Sequence, residues 1–408
     1  MPKSPAGVVF RLSNFRYYLI FRVLTTTASE MQAVAVAWQV YSLTHRPLDL
    51  GLVGLAQFLP GILLFLVTGQ TADRFPRQRI LQACCAGFAV CSVLLLGMTL
   101  HGLSSIYPIY CVLLLNGTVR AFNGPASQAF LPLLVPAEEF PKAVAWNSSI
   151  FQAATIAGPV AGGLLYGWTA SPTLVYCGAA IECLAALLVL TGVRVRVPQG
   201  RRPAATYGMA LEGLRYIRRN RMILGAISLD LFAVLLGGAV ALLPVYAREV
   251  LKIGASGLGL LRSGPGLGAL VMAVAVARWP LRRHAGAIML WCVCGFGVFT
   301  VVFGLSRNLA LSLAALALIG ACDMVSVIVR HTLIQLSAPD EMRGRVSAVN
   351  MVFIGASNEV GQFESGITAQ WFGTVPAVVL GGLGTIAIVA IWAWRFPALR
   401  RVDALVRE

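Results

Sequence analysis

The sequence predicts an all-α polytopic membrane protein, in which twelve transmembrane helices form two pseudo-symmetric six-helix bundles. Of the 408 residues, 58% are hydrophobic and only 12% are charged, whereas a soluble domain has roughly 25% charged residues. The apolar residues form continuous runs long enough to cross a bilayer, and the two halves of the chain repeat each other. These observations exclude an ordinary cytosolic enzyme, a disordered chain, a disulfide scaffold and a β-barrel, whose strands would alternate in polarity.

Each of the twelve apolar runs reaches about the 20 residues that a helix needs to cross the hydrocarbon core. The one long polar gap, 194–221, separates six runs from six and is rich in arginine. We therefore predict an N-terminal bundle over 1–193, a basic cytoplasmic linker over 194–221 and a C-terminal bundle over 222–408. In chain order, the predicted spans lie near 17–42, 50–72, 79–100, 105–129, 143–167, 172–193, 222–247, 255–277, 286–306, 309–334, 346–372 and 375–396.

The basic residues indicate an orientation in the membrane. The net charge is +16, and Lys and Arg lie in the short gaps between apolar runs, which favours a topological signal over nucleic-acid binding. One set of alternate loops carries only Arg46, Arg248, Lys252 and Arg307, whereas the other set and the termini carry many more. Since cytoplasmic loops are enriched in Lys and Arg, we predict that both termini lie in the cytoplasm.

An internal repeat supports the two bundles. A shift of about 203 residues, close to half the chain, superposes similar residues at many positions, which is typical of a parallel repeat. The same shift places Arg120 on Asp323. The matching positions include Pro136 and Pro339, Glu138 and Glu341, Asn147 and Asn350, Gly158 and Gly361, and Gly163 and Gly366.

The loop after the second span reads Gly69-Gln-Thr-Ala-Asp73-Arg74-Phe-Pro-Arg77-Gln-Arg79. It resembles the G-x-x-x-D-R-x-x-R-[RK] loop of the major facilitator superfamily, a large class of secondary transporters. The resemblance implies that these five named residues, the gate motif, close the cytoplasmic side in the outward-facing state. A simple positive-inside anchor is the alternative; it accounts for Arg77 and Arg79 but not for Asp73, because acidic residues contribute little to topology.

Two further segments resemble the same superfamily. Arg120-Ala-Phe-Asn123-Gly124 is similar to its R-x-x-Q-G motif in helix 4, with Asn in place of Gln. Gly158-Pro159-Val-Ala-Gly162-Gly163 is similar to the G-P-x-x-G-G signature of its antiporter and exporter members. Gly158 and Gly162 share one helix face, which predicts a tight seam between the fifth helix and a helix of the second half; ordinary helix packing is the alternative. The second half departs from the pattern, with Ala277 opposite Asp73 and Ser365 opposite Gly162.

A narrower resemblance concerns one branch of the superfamily, the bacterial exporters that include enterobactin (siderophore) exporters. It implies export rather than one particular cargo. The segments that carry it are Trp38-Gln-Val-Tyr41-Ser-Leu-Thr44, Leu243-Pro244-Val-Tyr-Ala247, Gly257-Leu-Gly259-Leu-Leu-Arg262 and Gly355-Ala-Ser-Asn-Glu359.

Charged residues within the predicted spans are candidates for coupling or cargo binding, because a charge at mid-bilayer is costly and requires a cavity or a partner. The resemblance implies a central cavity lined by helices 1, 4, 7 and 10, which carry Glu30, Arg120, Asp230 and Asp323 respectively. The alternative for each is a structural ion pair or a position near the interface, and Asp230 could snorkel. Other charges in the spans are Glu182, Arg330, Glu359 and Glu364, of which the two acids of helix 11 could hold a proton.

We therefore predict a secondary active transporter, a proton-coupled exporter of a small amphiphilic, siderophore- or drug-like molecule that works by alternating access. Its partners are the small-molecule cargo, protons and the lipid bilayer, without nucleic acid, metal or cofactor, and we expect a monomer. A passive uniporter or importer and a transport-dead sensor remain alternatives. An enzyme is disfavoured, because no metal or nucleophile constellation is present. The candidate coupling residues are Glu30, Arg120, Asp230, Asp323 and Glu359, with Glu30 first.

Overall fold

The computed structural model describes residues 12–103, 105–193, 207–279 and 284–402. Within these ranges the secondary structure is helical throughout. The helices are α1 Ser13–Thr44, α2 Pro47–Leu63, α3 Phe65–Arg74, α4 Arg77–Leu100, α5 Tyr107–Phe130, α6 Phe140–Thr169, α7 Thr173–Thr191, α8 Tyr207–Arg219, α9 Arg221–Leu236, α10 Leu243–Val245, α11 Gly254–Arg278, α12 Ala285–Leu305, α13 Leu309–Ser337, α14 Asp340–Phe372, α15 Thr374–Arg395 and α16 Pro397–Arg400.

The helices are those of a membrane protein. Eight described helical segments are long and apolar enough to cross a bilayer: 77–100, 137–169, 173–191, 221–250, 254–278, 285–305, 309–337 and 374–395. The other four predicted spans coincide with α1, with the run α2–α3, with α5 and with α14. Of these, α1, α5 and α14 carry more polar residues, whereas α2 is apolar but short, because the run is divided at Leu64. The all-helical fold class is confirmed, and the exact number of twelve crossings stays a prediction.

The chain divides into two compact units. Unit 1 comprises the described residues of Met1–Leu43 and Ala56–Ala205, and unit 2 those of Thr44–Leu55 and Thr206–Glu408. The start of α2 therefore groups with unit 2, although the sequence prediction places it in the N-terminal bundle. The helix α8, which lies in the predicted linker, also belongs to unit 2. The predicted boundaries at 193 and 222 stay a prediction.

Two spans are interrupted. The run α2–α3 continues through Leu64, whose N–H still donates to the Pro60 carbonyl at 2.9 Å, but whose dihedral angles of −99° and 2° leave the helical region. The seventh span ends its regular part at Gly237 and proceeds through short 3₁₀ and α turns into a π-helical segment over Tyr246–Val250. Such irregular backbone in a membrane protein is stable where it is buried in protein, and Leu242, Leu243 and Tyr246 are fully buried.

A ladder of buried polar side chains connects three helices of unit 1. Ser92 on α4 donates to Gln32 on α1 at 2.6 Å, and seven residues along both helices Gln39 donates to Thr99 at 3.1 Å. Tyr176 on α7 donates to Gln39 at 2.6 Å. Because a buried polar group without a partner is costly, this ladder favours one rotation of α1 against α4 and α7.

Apolar side chains lie on the outside of both units, as lipid contact requires. Four tryptophans are exposed at or beside helix ends, namely Trp168, Trp279, Trp371 and Trp394. Tryptophan concentrates at the membrane–water interface. These positions agree with the ends of membrane-crossing helices.

Candidate functional site

In unit 1, the predicted acid Glu30 lies where α6 approaches α1 most closely. A Cβ atom at Gly158 would lie 2.7 Å from the Cβ atom of Glu30, and one at Gly162 would lie 2.8 Å from the Cα atom of Met31. Only glycine leaves room for the two backbones at this separation. The antiporter-like motif, which also includes buried Pro159 and Gly163, therefore forms a tight seam with α1.

The partner of that seam differs from the expectation. The sequence analysis assigned the glycine face to a helix of the second half, and this assignment is wrong, because α1 of the same unit fills the space beside Gly158 and Gly162. The spacing of the glycines defines a face on α6 but contains no information on which helix covers it.

The same turn of α1 also contacts α7. Thr27 donates a hydrogen bond to the carboxylate of Glu182 at 2.9 Å. Thr27 precedes Glu30 by three residues, so the two side chains project from the same side of α1. Glu30 itself is partly buried. The turn of α1 over residues 27–31 is thus the place in unit 1 where two helices and polar side chains converge.

Arg120 on α5 is held by a residue that the sequence analysis missed. Its guanidinium donates to the Oε1 atom of Gln57 on α2 at 2.8 Å. One turn earlier, Gly117 lets the α2 backbone at Gln57 pack directly against α5. A polar residue inside the apolar second span was the available signal for Gln57.

The rest of the helix-4 motif has no packing explanation in the described structure. The buried Oδ1 atom of Asn123 makes no hydrogen bond to the described residues. An added Cβ atom at Gly124 would meet no described atom within 4 Å. Arg120 and Asn123 are three residues apart and share one side of α5, so this side of the helix offers polar groups for a ligand.

The gate motif spans the junction of α3 and α4. Gly69, Asp73 and Arg74 lie in α3, Arg77 and Arg79 lie in the first turn of α4, and the side chain of Asp73 lies outside the described part of the structure. Arg74 and Arg79 are exposed, and a side chain at Gly69 would meet open space among the described atoms. The gate network stays a prediction.

Between the two arginines of α4 lies a contact that the sequence analysis missed. Gln78 donates to the carbonyl oxygens of Leu190 at 2.7 Å and of Val193 at 2.8 Å. These carbonyls belong to the C-terminal end of α7, where backbone acceptors have no partner within the helix. Gln78 therefore ties the end of α7 to the gate motif.

In unit 2, two predicted acids lie together with an arginine, and we name Asp230, Asp323 and Arg330 the acid–arginine cluster. Arg330 on α13 forms an ion pair with Asp230 on α9, and their side chains are only 1% and 9% exposed. Asp323, also on α13, interacts electrostatically with both. The ion pair with Arg330, rather than snorkelling to the interface, therefore explains how a charged Asp230 is accommodated within an apolar span.

A small cavity adjoins the acid–arginine cluster. Asp230 and Asp323 both line it, with room for about one water molecule. Its other lining residues are Ala233, Val234, Val293, Phe296, Cys322 and Ser326. The structure thus places the two predicted acids of helices 7 and 10 at one buried polar site.

The two acids of α14 have separate partners. Gln362 donates to Glu359 at 3.1 Å, and Thr368 donates to Glu364 at 2.7 Å. Glu359 also faces the start of α2, since a Cβ atom at Gly54 would lie 3.1 Å from its Oε2 atom. Each carboxylate therefore has its own hydrogen-bonded surroundings.

The described part of the predicted linker is a helix packed on unit 2. Residues 194–206 lie outside the described residues, and 207–219 form α8. Ile217 is buried in a cluster with Val346 on α14, and the Tyr216 hydroxyl donates to the Ser337 carbonyl at 3.0 Å. Glu212 forms an ion pair with Arg345. This part of the linker is thus ordered by contacts with α13 and α14.

Metal binding has no support in the described part of the chain, where no group of three or more His, Cys, Asp or Glu side chains is arranged to hold an ion.

Curated relatives are transporters. Over 378 residues, which are 91% of this chain and 85% of the relative, the chain is 26% identical to the enterobactin exporter EntS of Shigella boydii serotype 4 (strain Sb227). It is 25% identical over the same shares to the enterobactin exporter EntS of Escherichia coli O139:H28 (strain E24377A / ETEC). These relatives imply a small-molecule cargo.

Solved structures show the same fold. A bacterial homologue of the iron transporter ferroportin, in an inward-facing state, matches with a TM-score of 0.72 at 14% identity, over 95% of this chain and 99% of the other. The nucleoside transporter NupG matches with a TM-score of 0.69 at 13% identity, over 95% and 99%. At such low identity the likeness establishes the fold alone.

The family is established by a match over nearly the whole chain. The family model described as transmembrane secretion effector matches residues 6–407. The expected resemblance to the major facilitator superfamily and to its siderophore-exporter branch is confirmed. This multi-pass membrane protein is a transporter that belongs to the transmembrane secretion effector family of the major facilitator superfamily.

Proposed function

We propose that the protein is a secondary active exporter in the bacterial inner membrane, which moves a small amphiphilic molecule out of the cytoplasm in exchange for protons. The observation that carries the proposal is the similarity to enterobactin exporters over 91% of the chain. Transport would proceed by alternating access, as a monomer surrounded by lipid, with both termini in the cytoplasm.

The proposed cargo is siderophore- or drug-like. The relatives named above are enterobactin exporters. Helices of unit 1 in this chain combine charged and aromatic side chains. In unit 1, the guanidinium of Arg22 lies 5.1 Å from the centre of the Phe151 ring, and Arg120 with Asn123 adds donors and acceptors on α5. Such a mixture suits a molecule with both aromatic and polar parts.

Proton coupling is supported by the acids within the membrane-crossing helices. Glu30, the first candidate carrier, lies near the middle of α1 and beside the seam with α6. A charge within a membrane-crossing helix is costly and marks a functional site by default, which is why Glu30 is placed first. Arg120, Asp230, Asp323 and Glu359 are the further candidates.

The test is transport by the purified full-length chain in proteoliposomes, with enterobactin as the probe. Loaded inside the vesicles, enterobactin should move faster when an imposed pH gradient drives protons in the opposite direction. Glu138→Gln, which neutralises an exposed acid outside the apolar spans, is the control for loss of an acid as such and should transport like the wild type. Movement at the same rate without a gradient would indicate a passive uniporter, and binding without movement would indicate a sensor.

A second measurement addresses cargoes other than enterobactin. Comparing the metabolites in the medium of cells with and without the gene should reveal a compound that is depleted in the medium and enriched in the cells when the gene is absent. Enrichment in the medium instead would indicate an importer.

A further inference from the structure

The acid–arginine cluster of unit 2 contains more acid than base. One guanidinium, that of Arg330, lies among two carboxylates, Asp230 and Asp323. Arg330 is the largest fully buried side chain described, and its ion pair with Asp230 joins α9 to α13. With both acids ionised, the cluster would carry one uncompensated negative charge inside a membrane-crossing bundle, which is strongly disfavoured.

The geometry along α13 connects the two acids through the arginine. Asp323 and Arg330 are seven residues apart, which is two turns and roughly 10 Å along one helix face. Side chains on a helix lean toward its N-terminus, so that of Arg330 extends toward Asp323. Ser326 lies between them and lines the cavity that Asp230 and Asp323 share.

The guanidinium of Arg330 also has an N–H group without an acceptor among the described residues. Its Nε atom is buried and makes no hydrogen bond to the described residues, while the guanidinium pairs with Asp230. Asp323, in contrast to Asp230, is only partly buried. Asp230 is therefore already paired away from water, whereas Asp323 is more accessible and interacts electrostatically with the same guanidinium without an ion pair of its own among the described contacts.

We propose that Asp230 and Asp323 together bind one proton, with Arg330 as their shared counter-ion, and that this pair is the proton-binding site of unit 2. In the observed arrangement the proton resides on Asp323, and the Asp230–Arg330 pair is neutral. Loss of that proton converts a carboxyl group into a carboxylate, changes the charge of the cluster from zero to −1, and releases the proton to water. The new carboxylate then competes with Asp230 for the guanidinium of Arg330.

This inference rests on the proposed proton coupling and identifies where the proton binds. Because the deprotonated cluster carries a net charge, proton release is favoured when Asp323 faces water and disfavoured when it does not. The exchange of Arg330 between the two acids would change the contact of α9 with α13. Proton occupancy and helix position are therefore linked at this site.

Other titratable groups surround the cluster and have to be separated from it. His331 follows Arg330 on α13 and interacts electrostatically with Arg330 and Asp230. Cys322 precedes Asp323, lines the cavity, and interacts with Asp323 and with Cys292 on α12. None of these three side chains forms a carboxyl group, so a measurement specific for carboxyl groups distinguishes them from the two acids.

The experiment is infrared difference spectroscopy of the full-length protein in lipid as the pH is raised, which detects the C=O stretch of protonated carboxyl groups. In the wild type, the signal of one protonated carboxyl group should disappear as the pH is raised. In Asp323→Asn this change should be absent. Asp230→Asn should lack the same signal, because Asp323 would then stay ionised as the partner of Arg330. The controls Glu30→Gln and His331→Gln should keep it.

Folding does not limit this test, since Asp323→Asn retains the neutral Asp230–Arg330 pair. A signal of wild-type size in both Asp323→Asn and Asp230→Asn would overturn the proposal. The proteoliposome assay distinguishes failure of this proton site from failure of the proposed function. If enterobactin moves without dependence on the pH gradient while the signal still vanishes in both variants, proton coupling fails and the proton site stands.

Discussion

At the scale of single residues, interhelical partners account for most of the difference between prediction and structure. The depth of Asp230 and Asp323 in their spans was readable from the sequence, because the lengths of apolar runs indicate depth. Arg330, which pairs with Asp230, was only one of several charges in the spans, and the sequence did not indicate that it would be fully buried. Which side chains meet depends on the rotation of each helix about its axis, and one sequence does not determine that rotation.

Polar residues without charge were missed for a related reason. Gln57 binds Arg120, and Gln78 binds the end of α7. Gln57 is a single polar residue within an apolar span, and Gln78 lies between two arginines of the gate motif. In neither case does the sequence indicate which donor or acceptor on another helix lies beside the glutamine.

Glu30 provides the prediction for unit 1. Glu30→Gln imitates the protonated acid permanently, so we expect loss of gradient-driven enterobactin export from proteoliposomes, while exchange of enterobactin across the membrane without a gradient is retained. Arg120→Ala should also stop coupled export, whereas Arg120→Lys should keep part of it if charge alone matters, although the bond to Gln57 would change. Export by Glu30→Gln at the wild-type rate and pH dependence would shift the carrier to Asp230, Asp323 or Glu359.

At the scale of helices, positions were predictable and internal breaks were not. Predicted spans and helices coincide because both follow the length of the apolar runs. The irregular turn at Leu64 leaves no clear mark, since the residues around it are as apolar as those of regular helices. The π-helical segment over Tyr246–Val250 contains Arg248 and Glu249, and these charges indicate the end of an apolar run but not the form of the backbone there.

Because α1 and α6 pack closely, alanine should destabilise the protein at Gly158 but not at Gly97, a glycine of α4. Gly158→Ala would place a Cβ atom 2.7 Å from that of Glu30, and such overpacking costs about 1–3 kcal/mol. We expect a lower midpoint of thermal unfolding in detergent. The matched control is Gly97→Ala in α4, where the new Cβ atom meets no described atom within 4 Å. There alanine should be neutral or stabilising by up to about 1 kcal/mol. Equal midpoints for the two variants would contradict the tight seam.

The gate motif predicts a defect of transport without a defect of folding. Asp73→Asn removes a charge just beyond the predicted second span, so the protein should still insert and unfold at the wild-type temperature. Turnover of enterobactin in proteoliposomes should fall, because the proposed gate loses its acidic member. The control Gln70→Glu adds a carboxylate to the exposed side of the same helix. Unimpaired turnover in Asp73→Asn would leave the loop with a topological role only.

At the scale of the whole molecule, the two halves share a fold and differ in charge. The shift of about 203 residues places the acid–arginine cluster on Thr27, Arg120 and Ser127 of unit 1. Thr27 binds Glu182, and Ser127 lies 3.1 Å from the Tyr18 hydroxyl. The uncharged side chains of Thr27 and Ser127 in unit 1 thus occupy the positions of the buried ion pair in unit 2. The repeat predicted the two-part fold, but it did not predict which half carries the buried pair.

Topology is the remaining property of the whole molecule that the sequence predicts and a single experiment decides. Lys and Arg are retained on the cytoplasmic side during insertion, and the even number of predicted spans places both termini on one side. A reporter that is active only in the periplasm should therefore be inactive when fused after Glu408. The same reporter inserted after Arg46, in the short loop between α1 and α2, should be active and shows that the fusion reports correctly. Activity after Glu408 with silence at Arg46 would reverse the orientation, and the direction of the proposed export would reverse with it.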